Sequence, residues 1–168
     1  MATYQRKRLG ARDLEAALSK AEQYRALNEP EEAESICRDV LEESPEDQHA
    51  LRTLGLALTD RFALEWRGVF DEAMAVFRKL TNPYERVYYS GVAWERVAKA
   101  QLAQGQAHNA AHALEHAMNH FAEAERIGPK DTPDPVLRWN RCVRMIDRHP
   151  ELVDASVGPR SHEFQHGD

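Results

Sequence analysis

Residues 14–45 read LEAALSKAEQYRALNEPEEAESICRDVLEESP, two helical segments parted by Asn28-Glu29-Pro30 and closed by Ser44-Pro45. Ala21, Tyr24, Ala33 and Pro45 mark this copy, and Ala21 and Tyr24 return 34 residues later as Gly55 and Leu58, beside Leu51 and Leu54. A fixed period of this length marks a helix–turn–helix unit that cannot bury its apolar face alone and stacks on its neighbours.

The same punctuation runs outward along the chain. Asp13 is the expected N-cap of a first helix reaching Leu27, and Pro30 opens a second that ends at Glu43. Ser44-Pro45 opens a third, carrying Leu51, Leu54, Leu58, Phe62 and Trp66 as far as Gly68, and a fourth spans Phe70 to Leu80. Asn82-Pro83-Tyr84-Glu85 joins a cap, a proline at the first helical position and an acid three residues past the cap. The fifth helix runs from there to Gln104 and stops at Gly105. The sixth, Gln106 to Ile127, places Ala110, Leu114, Ala117, Phe121 and Ala124 in one stripe. Pro129, Pro133 and Pro135 make a stiff connector to a seventh helix that Pro150 ends. No segment alternates as a strand does. The expected domains are a basic segment over 1–12, a helical domain over 13–150 and a disordered tail over 151–168.

The chain has 168 residues, 42% hydrophobic and 30% charged, which suits a folded domain of three to four stacked helical pairs. Its net charge is −6 with Lys and Arg scattered, so nucleic acid is not an expected partner. The first twelve residues hold Arg6, Lys7, Arg8 and Arg12, but no apolar run of signal-peptide or membrane-span length follows. Cys37 and Cys142 stand far apart and outside any Cys-x-x-Cys pair, which fits free thiols in a reducing compartment. The expected location is the cytoplasm, with no membrane partner.

These residues resemble the tetratricopeptide repeat (TPR) family. Its pattern asks for large, Leu, small and aromatic positions on the first helix of a pair. On the second it asks for Ala, a large apolar residue, a small residue and Pro. From Leu14 the chain supplies Ala21, Tyr24, Ala33, Cys37, Val40 and Pro45, and from Gln48 it supplies Leu51, Leu54, Gly55 and Leu58. Ala73 and Phe77 then arrive six residues late, which implies an insertion around Arg61 to Gly68 that lengthens the first helix of the pair or its turn. A third copy from Gly91 supplies Trp94, Val97, Ala98, Gly105, Ala110, Leu114 and Ala117, and its second helix runs on to Ile127 in place of the final proline. The resemblance implies an all-α, right-handed helical-repeat solenoid of about three TPR-like helix pairs with the seventh helix as a C-terminal cap.

The resemblance also implies a concave groove lined by the first helix of each pair. Carried over, its residues are Leu18, Glu22 and Arg25; Arg52 and Leu56; Val92, Glu95, Lys99 and Leu102; and Asn140 and Arg144 if the seventh helix extends the wall. The Lys/Asn set by which some TPR domains clamp a C-terminal carboxylate is absent, since Leu18 and Glu22 stand at its positions. Leu18, Leu56, Val92 and Leu102 offer an apolar floor, and Arg25, Arg52 and Lys99 offer cations.

Two patterns point to other chemistry. His108, His112, His116 and His120 recur every four residues and fan across about 120° of the sixth helix, where an i, i+4 imidazole pair can chelate Zn²⁺, Ni²⁺ or Cu²⁺. His162-Glu163-Phe164-Gln165-His166 spells the His-Glu-x-x-His pattern of zinc proteases, but Gly158-Pro159 and Gly167 flank it where that motif needs a helix. No phosphate loop or nucleophile elbow is present, so a non-enzyme without a cofactor is expected. The leading expectation is an adaptor or scaffold holding a peptide or helix of another protein. A secretion-type TPR chaperone and a metal-binding protein are the alternatives, and self-association through an exposed apolar end stays open.

Overall fold

The computed structural model describes residues 3–156, which form eight helices after a single 3-10 turn at Ala11–Asp13. They are α1 (Leu14–Ala26), α2 (Pro30–Glu43), α3 (Gln48–Asp60), α4 (Phe62–Arg78), α5 (Pro83–Ala103), α6 (Ala107–Ile127), α7 (Asp134–Arg148) and α8 (Pro150–Ser156). Each helix packs antiparallel on the one before it, from α1 on α2 through to α6 on α7. The first helices of successive pairs also touch: α1 meets α3, α3 meets α5 and α5 meets α7. Among the described residues α2, α4 and α6 make no comparable contact with one another. The chain is therefore an all-α array of sequential antiparallel pairs.

Local signals set most boundaries. Pro30 and Pro83 stand in the first turns of α2 and α5, where a missing N–H costs nothing. The Asn82 side chain accepts from Tyr84 N at 2.9 Å and the Asp47 side chain from Ala50 N at 2.8 Å, which satisfies donors that a helix start leaves open. Asn28 and Gly105 take the left-handed conformation, with φ of 61° and 72°, and so turn the chain out of α1 and α5.

Four expectations from the sequence are corrected. Asp13 makes no capping hydrogen bond to α1. The third helix begins at Gln48 behind the Asp47 cap rather than at Ser44-Pro45. The inserted residues do not lengthen that helix, which ends at Asp60; they form the front of α4, which bends at Glu65 (φ −148°, ψ 45°). The cause is Phe62, 1% exposed and 6.1 Å from the Phe70 ring, whose burial fixes an additional turn ahead of the main helix. Finally, Pro150 ends α7 but opens α8, and Leu152 (3% exposed) seats α8 on α6. The described residues thus form eight helices where seven were expected.

The core runs the length of the array. Ala21, Ala33, Ala73, Ala98, Ala110 and Ala117 are all buried, as are Cys37, Phe77 and Leu114 facing them. At Gly55 a methyl group would lie 2.2 Å from the Phe77 ring, so α3 and α4 approach as closely as they do only because that side chain is missing. A second aromatic series, Phe70, Trp94 and His116, crosses from α4 through α5 to α6 with centroid spacings of 4.7 and 4.5 Å.

Candidate functional site

The helices that touch across pairs, α1, α3, α5 and α7, carry every residue expected to line a groove. Their burial divides that set. Leu18, Val92 and Glu95 are 3%, 1% and 0% exposed, so they form the packed base between helices and present no surface to a guest. Arg25, Arg52, Leu56, Lys99 and Leu102 are half-buried, and Glu22, Asn140 and Arg144 are exposed.

The charged members bind one another across helices. Between α1 and α3, Arg25 Nε donates to Asp60 Oδ2 at 2.8 Å and His49 Nε2 lies 2.8 Å from Glu22 Oε1. Between α3 and α5, Asp60 also takes Arg96, which donates to Thr59 Oγ1 at 2.7 Å, and Arg52 donates to Glu85 at 2.7 Å. Between α5 and α7, Arg138 reaches Glu95 Oε2 at 3.1 Å, while Lys99 Nζ lies 2.5 Å from Oε1. A fully buried carboxylate held by two cations is the pairing such a site requires, because an unpaired charge there carries a large desolvation cost. Burial opposes the Arg138 charge, yet the Tyr88 hydroxyl and the Glu95 carboxylate outweigh it and raise its pKa above the usual guanidinium value. The cations expected to meet a guest at Arg25 and Arg52 are thus already engaged.

Open space remains toward the C-terminal ends of α3 and α5. One cavity of about 290 Å³ is walled by Thr59, Asp60, Phe62, Arg96, Lys99 and Ala103. A second, of about 310 Å³, lies between α5 and α7 against Lys99, Leu102, Ala103, Arg141, Met145 and Arg148. They share Lys99 and Ala103, so both border the last turns of α5, one toward α3 and the other toward α7. Arg141 and Arg148 were not picked out in the sequence, although the spacing of Arg138, Arg141, Arg144 and Arg148 puts a basic strip on one helix.

A larger cavity, about 480 Å³, sits on the other side of the last pairs between α6, α7 and α8, with Met118, Trp139, Ile146, Leu152 and Val153 in its walls.

The histidine series stands on α6 with exposure falling along it: His108 and His112 are exposed, His116 and His120 half-buried. His116 stacks on Trp94 at 4.5 Å, and His120 Nδ1 lies 2.7 Å from the His116 carbonyl. Among the described residues no three His, Cys, Asp or Glu side chains are grouped as metal ligands. His162, Glu163 and His166 lie outside the described residues. No described helix is long and apolar enough to cross a membrane. No family model matches this chain, and no curated protein matches it either.

Proposed function

We propose that the protein is a TPR-like, non-enzymatic adaptor that holds a segment of another protein in the trough over α3, α5 and α7. The observation that carries this reading is the adjacency of the two cavities at Lys99 and Ala103, on the layer of helices that touch across pairs. Such a layer is the place where a stack of helix pairs has surface free, since the other helices lie behind it. Leu102 and Ala103 supply apolar contact, and Arg141 and Arg148 beside them supply cations for a backbone carbonyl or carboxylate. Two buried free thiols, Cys37 and Cys142, suit the reducing cytoplasm this reading assumes.

The test is a steric block. Ala103 is exposed in the last turn of α5, where both cavities adjoin. Ala103→Trp fills that junction without emptying any packed position, so its melting temperature stays within about 2 °C of the native value. Partners crosslinked to the native chain and identified by mass spectrometry are expected to vanish from the variant. Equal recovery of the same partners by both proteins would overturn the reading.

A further inference from the structure

Each step of the inner layer ties one helix to the next through carboxylates and guanidinium groups: Arg25–Asp60, Asp60–Arg96, Arg52–Glu85 and Glu95–Arg138. Among the described residues the series ends at α7. Arg141, Arg144 and Arg148 lie there on one strip about 60° wide, all exposed and without an ionic partner among the described residues. The nearest acids do not compensate them. Glu95 is fully buried and held by Lys99 and Arg138, Glu151 pairs with His149, and Asp147, three residues after Arg144, makes no ion pair with it. Beside the strip, Arg141 and Arg148 flank Leu102, Ala103 and Met145 in the 310 Å³ cavity.

From this geometry we infer that the α7 end of the trough takes an acidic, amphipathic segment of a partner protein, its carboxylates on Arg141 and Arg148 and an apolar side chain in the space over Leu102 and Ala103. The segment continues the pattern of the layer as the next helix would. This inference rests on the trough reading and names its partner chemistry. Uncompensated cations on a chain of net charge −6 select anions against the repulsion of the rest of the surface. The apolar floor separates a peptide from a bare polyanion, because burial of leucine-like surface adds affinity that a phosphate chain does not have.

The test measures fluorescence anisotropy of a short fluorescein-labelled peptide of glutamates with leucines at helical spacing, titrated with the full chain. Controls are the lysine counterpart, the glutamate peptide without leucines and an oligonucleotide of matched charge. The Glu/Leu peptide is expected to bind best, with affinity falling at least about tenfold in the Arg141→Glu/Arg148→Glu double variant and falling with salt. The Arg78→Glu/Lys79→Glu variant, an equal change of charge at the exposed end of α4, is expected to bind as the native chain does. Absence of binding, equal binding by the α7 variant, or tighter binding of the oligonucleotide would overturn the inference. If Ala103→Trp abolishes partner capture while the arginine variant binds normally, the trough stands and only the acidic partner is lost.

Discussion

Gly55 and Glu95 show how much of this array rests on single side chains. A methyl group at Gly55 collides with the Phe77 ring, so Gly55→Ala should cost roughly 1–3 kcal/mol in urea unfolding. Gly68, inside α4, has nothing within 4 Å of an added methyl, and there the same change should stabilise by about 0.5–1 kcal/mol. Glu95→Ala removes the shared counterion of Lys99 and Arg138; both cations keep about a third of their surface in water, so a loss of about 2–4 kcal/mol is expected. Burial pushes the Cys37 and Cys142 thiols and the Tyr89 phenol up to about 12. The folded chain then holds these groups neutral while the unfolded chain ionises, so their stabilisation is complete below about pH 8.5 and is lost as pH rises toward 12. Urea midpoints should accordingly fall between pH 9 and 11. The buried small residues were legible in the sequence because spacing alone marks them, as with Ala21 and Gly55. The Glu95 triad was only half legible: Lys99 stands at the i, i+4 spacing of a helical Glu–Lys pair, but Arg138 comes from α7 and no local pattern announces that pairing.

At the scale of the helix, the legible elements are those with strong local punctuation. The second helix follows the sequence expectation from Pro30 to Glu43, and the fifth starts at Pro83 beneath its Asn82 cap. The inserted turn of α4 was misassigned because Phe62 continues the apolar period of α3, and only tertiary burial decides which helix owns it. Phe62→Ala should cost about 3–5 kcal/mol, whereas Leu64, 87% exposed, should tolerate aspartate within about 0.5 kcal/mol. The short α8 was missed because a proline reads as a stop whether or not a new helix begins behind it. Its buried residue Leu152 makes a clear prediction: Leu152→Ala should lower stability by about 2–4 kcal/mol by opening a void against α6. A thermal scan showing no change would mean α8 contributes nothing to the packed array.

Across the whole molecule, helices that touch only near neighbours are joined by ion pairs: Arg38–Glu72 ties α2 to α4, and a longer line runs along the layer of α1, α3, α5 and α7. Asp60 is its hub, holding Arg25 of α1 and Arg96 of α5. Asp60→Asn should cost about 1–3 kcal/mol and loosen both contacts, read as faster amide exchange at the C-terminal ends of α1 and α5. The helical period carries the existence of this layer in the sequence, but which of its charges are spent on neighbouring helices depends on the fold. That is why Arg25 and Arg52, expected to meet a guest, are engaged internally, while Arg141 and Arg148 of α7 have no ionic partner among the described residues. The central claim is that the uncovered side of α3, α5 and α7 is where a partner binds. Hydrogen exchange of the native chain with and without its captured partner tests it most directly. Slowed exchange at the C-terminal halves of α5 and α7, with α2 and α4 unchanged, is the predicted result; slowed exchange confined to α2, α4 and the outer face of α6 would contradict it.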